Sequence, residues 1–156
     1  MPDVESIRTL FLQPHPAYTI AEAATVLGMD WQDVRGWVEA GELEGVDTDE
    51  GLRVPWSELV SFGIDFWSQE VVEVALGAEV AEAIPELLRL TDLEVRIPRL
   101  EVVALERVAA RDGKSVDALL ARELLDFASA NSWWLEKEIP GFLAALAWPE
   151  ATDATA

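Results

Sequence analysis

Cysteine is absent from this 156-residue chain, and there is a single histidine. Without thiols the chain has no disulfide, no thiolate zinc site and no cysteine nucleophile. His15 stands between Pro14 and Pro16 in what reads as an extended lead-in, where a lone imidazole is most simply a solvated surface group. Basic residues are scarce: 11 Lys and Arg face 30 Asp and Glu, for a formal net charge of −19 and a pI near 4.1. A field of that sign repels nucleic acid and anionic membrane alike, which opposes adhesion by charge alone. The chain lacks the apolar run of ~18 residues that a membrane span needs. The opening MPDVESIRTLFLQP has neither a basic n-region nor a continuous apolar h-region, so it does not read as a signal peptide. Gly-rich phosphate loops, nucleophile elbows and HExxH motifs are missing too. Paired carboxylates abound, but among 30 acids their spacing identifies no reaction. The expectation is a soluble cytoplasmic protein that is not an enzyme and uses neither metal nor cofactor.

What the chain does have is apolar content, 51%, ample for a core. In the first region, 18–62, Thr19 followed three residues later by Glu22 predicts a capping box, and Ile20, Ala23, Ala24 and Leu27 recur at helical spacing until Gly28. Asp30 caps a second predicted helix whose apolar face is Trp31, Val34, Trp37 and Val38, and Gly41 ends it. The tract GVDTDEGLRVP carries the turn residues of a short hairpin, with Leu52 and Val54 alternating around Arg53. Pro55 suits the start of a further helix beginning at Trp56.

Three segments in order, YTIAEAATVLGM, VRGWVEAGELEGV and GLRVPWSELVSF, resemble the winged helix-turn-helix of the excisionase and MerR families. EAGEL (39–43) falls where those families close the recognition helix, and RVP (53–55) where they enter the next helix. The resemblance covers about 45 residues and implies a DNA-binding module over 1–65.

Residues 66–91 read as a helical connector that packs on a flanking module, with Val71, Val72, Ala75 and Leu76 on one face and Val80, Ala81 and Ile84 after Gly77. Pro85 either starts a short helix or kinks the existing one. The next region, 92–130, opens with Leu93, Val95 and Ile97 alternating with Glu94 and Arg96, the pattern of a half-buried strand. Pro98 starts a predicted helix with Val102, Leu105, Val108 and Ala109 on one face. Gly113 closes it, Ser115 or Asp117 caps the next, and Leu119, Leu120, Leu124 and Phe127 continue the stripe. A single short strand needs a hydrogen-bonding partner.

VRIP, LERVAARDGKS and ALLARELL, without a gap over about 35 residues, resemble the ribbon-helix-helix family of CopG-like and Arc-like repressors and antitoxins. The resemblance implies a homodimer formed through the 93–97 strand and helices 99–112 and 116–129, with an intermolecular two-stranded ribbon. The expected fold class is therefore mainly α, a small winged helix-turn-helix module plus a ribbon-helix-helix dimerisation module. In that family the outward ribbon side chains enter the major groove, here Asp92, Glu94 and Arg96, and amides near Ser115 grip a phosphate.

Arg, Lys, Asn and Gln are the usual groove readers, with carboxylates reserved mainly for the cytosine amino group. The candidate DNA contacts are Gln32, Arg35 and Arg53 in the first module and Glu94, Arg96, Arg99, Lys114 and Ser115 in the second. Within 18–62 two basic residues meet ten acidic ones, a net of −8. Seven of the eleven basic residues lie between Arg89 and Arg122, and the ribbon end bearing Arg96, Arg99 and Lys114 is the favoured DNA contact.

Seven tryptophans is a high number for this length. Trp31, Trp37, Trp56 and Trp67 read as core or core-edge residues. Trp133, Trp134, Phe142 and Trp148 fall in the C-terminal segment 131–156, either packed back on the dimer or exposed as anchors for a basic protein or toxin. The final ATDATA reads as a frayed end. The expected function is a dimeric DNA-binding transcriptional regulator in the manner of an antitoxin. The alternative is an acidic protein-interaction adaptor that keeps DNA-binding folds without binding DNA.

Overall fold

The computed structural model describes residues 3–150, so the frayed end expected at 151–156 lies outside the described residues. The chain is mainly helical with one small antiparallel sheet, and it divides into two compact units. One comprises residues 3–90 together with 147–150, the other 91–146.

In the first unit, Asp3 caps α1 (Val4–Leu12) by accepting the Glu5 N–H at 3.1 Å, and Ile7, Leu10 and Phe11 place one buried stripe on it. The capping box predicted at α2 (Ile20–Leu27) is formed: Thr19 Oγ1 accepts the Glu22 N–H at 3.1 Å and Glu22 accepts the Thr19 N–H at 2.8 Å. The Thr19 backbone N–H and hydroxyl hold the Glu22 carboxyl below its ordinary value. Gly28, at φ 67°, turns the chain into α3 (Trp31–Ala40), which Asp30 caps and Gly41 ends at φ 79°. The hairpin follows as β2 (Val46–Thr48) and β3 (Gly51–Pro55). The other edge of β3 pairs with β1 (Ala17–Tyr18), giving the order β1-β3-β2. This third strand has only two residues, too few to show an alternation in the sequence.

Pro55 leads into α4 (Trp56–Trp67). The connector, expected as helix with Pro85 either kinking it or starting a new short one, is broken three times. Ser68 takes a positive φ of 72° and caps α5 (Gln69–Leu76), Gly77 turns the chain into α6 (Val80–Ala83), and a single 3-10 turn follows Pro85. The breaks let Val72, Leu76 and Ile84 point into the same core as Ile7, Leu10, Val34, Leu59 and Val60. A continuous helix would carry Ile84 past that core. Trp56 is buried there, its indole N–H donating to the Leu10 carbonyl at 2.8 Å, and Trp67 packs over Gly63. Trp31 departs from expectation: it is half exposed, because Val34 alone of α3 reaches the centre.

Side-chain bonds pin the end of this unit. Arg8 reaches the Ala75 and Leu76 carbonyls and the Glu79 carboxylate, covering the C-terminus of α5. Glu73 accepts the Leu90 N–H at 3.0 Å, and Arg89 donates to the Ile84 and Ala81 carbonyls.

In the second unit, residues 91–98 carry no regular secondary structure. α7 (Arg99–Asp112) ends at Gly113 in the left-handed region, and Ser115 caps α8 (Val116–Ala130) by accepting the Ala118 N–H at 3.1 Å. Two short helices complete the unit, α9 (Ser132–Glu138) and α10 (Phe142–Leu146). Glu136 on α9 accepts N–H groups from Gly141 at 3.2 Å and Leu143 at 2.7 Å, tying α10 to α9, and these donors lower its pKa.

Candidate functional site

The 91–146 unit is short of a core. Its buried side chains are Ala109, Ser132 and Ala145, none of them large. Leu105, Val108, Leu119 and Leu120 are half-buried between α7 and α8. Leu93, Val95, Ile97, Leu100, Val102, Val103, Leu124, Leu125 and Phe127 are all exposed, Leu100 to 81%. The expected half-buried strand 93–97 is thus neither a strand nor half-buried in the single chain. The reason is physical: strand structure requires a neighbour's N–H and C=O groups, and among the described residues no strand pairs with this segment to provide them. Sequence periodicity found one apolar face on α7 but missed Leu100 and Val103, which widen it. Their signal was the i,i+3 spacing directly after Ile97 and Pro98.

The polar candidates of this unit are accessible. Glu94 and Arg96 alternate with the exposed apolar residues of 93–97, and Arg99 opens α7. The side chains of Arg96, Arg99 and Lys114 make no ion pair among the described residues. Lys114 and Ser115 lie in the α7–α8 turn, at the opposite end of α7 from Arg99, roughly 20 Å away at 1.5 Å per residue. One chain therefore does not gather Arg96, Arg99 and Lys114 at a common ribbon end. The Ser115 hydroxyl is committed to capping α8. Two members of the basic stretch are occupied as well: Arg89 by carbonyls of the first unit, Arg111 by Asp112 at 2.8 Å. That pairing raises the Arg111 pKa and lowers that of Asp112.

In the first unit Gln32 and Arg35 sit on exposed positions of α3, and Arg53 on β3. Arg35 pairs with Glu39 at 2.8 Å across one helical turn, and Arg53 lies 3.7 Å from Glu50 and donates to the Leu52 carbonyl. Asp47, Asp49 and Glu50 are exposed along the hairpin. Within 1–90 four basic residues face eighteen acidic ones, whereas within 91–146 the figures are seven and ten.

The C-terminal aromatics separate. Trp133 and Trp134 on α9 are exposed, to 79% and 62%, and Phe142 on α10 is half-buried. Trp148 belongs to the first unit, where its ring meets Trp56 edge-on at 6.2 Å and packs on the core. Sequence alone gave no means of separating it from its neighbours, since what holds it is a contact with Trp56 from far along the chain.

Among the described residues no group of His, Asp and Glu side chains is arranged to hold a metal ion, and no helix is long and apolar enough to cross a membrane. No family model, curated protein or solved structure matches the chain.

Proposed function

We propose that this protein is a homodimeric DNA-binding transcriptional regulator whose 91–146 unit is completed by a second copy. The observation that carries this reading is the exposed alternation of Leu93, Val95 and Ile97, followed by two amphipathic helices that lack a core of their own. Pairing two 93–97 segments antiparallel would supply the missing strand bonds, and interlocking α7 and α8 with their counterparts would cover the apolar faces. This is the arrangement of the ribbon-helix-helix family that the sequence resembles. Burial of each exposed Leu, Val or Phe would contribute about 1.5–3 kcal/mol.

In such a dimer Glu94 and Arg96 point away from the new core. Arg96 then suits the acceptor pair of guanine, Glu94 the cytosine amino group, and Arg99 and Lys114 the flanking phosphates. The α2–α3 pair with its hairpin, which resembles the excisionase and MerR module, is a secondary contact, since its Arg35 and Arg53 are both beside glutamates. Trp133 and Trp134, both exposed, would anchor a protein partner in the manner of an antitoxin. A gel shift with DNA from upstream of the protein's own coding sequence, run across a salt series, tests the reading. A sequence-specific shift that weakens steeply with salt and is lost in Arg96→Ala is the expected result.

A second reading, an acidic adaptor that binds proteins rather than DNA, is favoured by one observation: the fourteen-charge excess of acid over base within 1–90. An intact dimer that shifts no DNA even at low salt would establish it in place of the first.

A further inference from the structure

The first unit carries an aromatic shelf with a carboxylate border. Phe62 and Phe66, one turn apart on α4, stack with centroids 5.8 Å apart and planes 9° from parallel. Trp37 of α3 closes on them, 4.7 Å from Phe62 and 6.3 Å from Phe66. Trp37 and Phe62 lean on the core, but Phe66 is 58% exposed, more than core-edge packing requires. Helical spacing puts acids beside these rings: Glu58 one turn before Phe62, Asp65 three residues after it, and Asp33 one turn before Trp37. The Glu58 carboxylate accepts the Glu44 N–H at 3.1 Å, which brings the 42–44 acids alongside. α4 has no basic residue, and the one on α3, Arg35, is paired with Glu39.

We infer that this shelf docks an arginine side chain presented by a basic segment of a protein partner. An aromatic face attracts a cation through its negative quadrupole, and the bordering carboxylates add to the attraction. Arginine fits better than lysine because its planar guanidinium stacks on a ring while its edge donates to a carboxylate. A second copy of this chain is a poor occupant, since its basic residues are interspersed with acids. A nucleic-acid strand could stack its bases on Phe66 only by bringing phosphates against Asp33, Glu58 and Asp65. The inference is independent of whether the 91–146 unit dimerises or binds DNA.

The test titrates the full chain with an alternating Arg–Gly peptide and its Lys–Gly counterpart, read by calorimetry. The Arg peptide binds more tightly than the Lys peptide, and Phe66→Ala, which changes no charge, weakens it by about five- to tenfold. Asp65→Asn weakens both peptides. Trp31→Ala, on the other flank of α3, changes neither. Thermal melts of Phe66→Ala stay close to the parent, since the ring is more than half exposed and only its contacts with Phe62 and Trp37 are lost. Equal affinity for both peptides, indifference to Phe66→Ala, or an equal loss from Trp31→Ala would overturn the inference, leaving net charge alone. It also falls if Phe66→Ala acts on self-association or on oligo-dT binding instead, for the occupant is then a second copy or a nucleic acid.

Discussion

Leu59 and Leu100 are the same residue type on two amphipathic helices, yet Leu59 is fully buried and Leu100 is 81% exposed. The difference lies in what surrounds them. Leu59 belongs to a unit in which α1, α2, α4 and α5 converge and even a broken connector is bent so that Val72, Leu76 and Ile84 point inward. Leu100 belongs to a unit of one helical pair, a short α9–α10 hairpin and an unpaired extended segment, which among its own described residues has little to close it. Charge divides along the same line: the self-sufficient unit is strongly acidic, the incomplete one nearly balanced. Exposed apolar patches of this extent mark interaction sites. The two halves thus differ in what they need: one folds on itself, and the other is proposed to fold on its copy.

That contrast can be broken at several points. Leu59→Ala opens a cavity in the first unit and lowers stability by about 2–5 kcal/mol, a loss that thermal melts should report equally at every protein concentration. Val95→Asp places a charge where the proposed ribbon is buried and raises the dimer dissociation constant by about a hundredfold, a cost of ~3 kcal/mol. Sedimentation would register this while the melt of the first unit stays where it was. A Val95→Asp protein that associates as the parent does would mean the ribbon is not the contact.

A smaller effect follows from Glu136, whose carboxylate holds the start of α10. Hydrogen bonding lowers its pKa in the folded state. Its contribution is therefore fully present above the ordinary glutamate value and lost as pH falls through the lowered one. Protection factors at Gly141 and Leu143, taken relative to the intrinsic exchange rate at each pH, should fall on acidification, and in Glu136→Gln that fall should vanish. Smallest is Gly36→Ala. A methyl at this exposed helix position meets nothing within 4 Å, so the variant should gain about 0.5–1 kcal/mol. Unchanged DNA affinity in that variant would agree with α3 being a secondary contact.

Legibility in the sequence followed the same division. Caps and turns in the first unit could be read because local chemistry sets them: Thr19 with Glu22, Asp30, Gly28 and Gly41 stand where the chain requires those residues. β1 could not, being two residues defined by their pairing with β3, nor could the break at Ser68, a residue that carries no local breaking signal; the break at Pro85 was legible from the proline itself. The stripe Ile7, Leu10 and Phe11 of α1 spans little more than one turn of a nine-residue helix, too short for its periodicity to stand out. In the second unit the helix bounds at Pro98, Gly113 and Ser115 were legible. The environment of 93–97 was not, because alternation states which side seeks burial but not whether the same chain provides it. Trp148 illustrates the same limit, since its place against Trp56 is a matter of fold, not of pattern.

Whether the 91–146 unit requires a second copy is decided by sedimentation equilibrium over a wide concentration range. The expected mass is twice 17.2 kDa and falls toward 17.2 kDa on dilution, with α7 and α8 losing exchange protection as it does. A chain that stays at 17.2 kDa at all concentrations while those helices remain protected would contradict it.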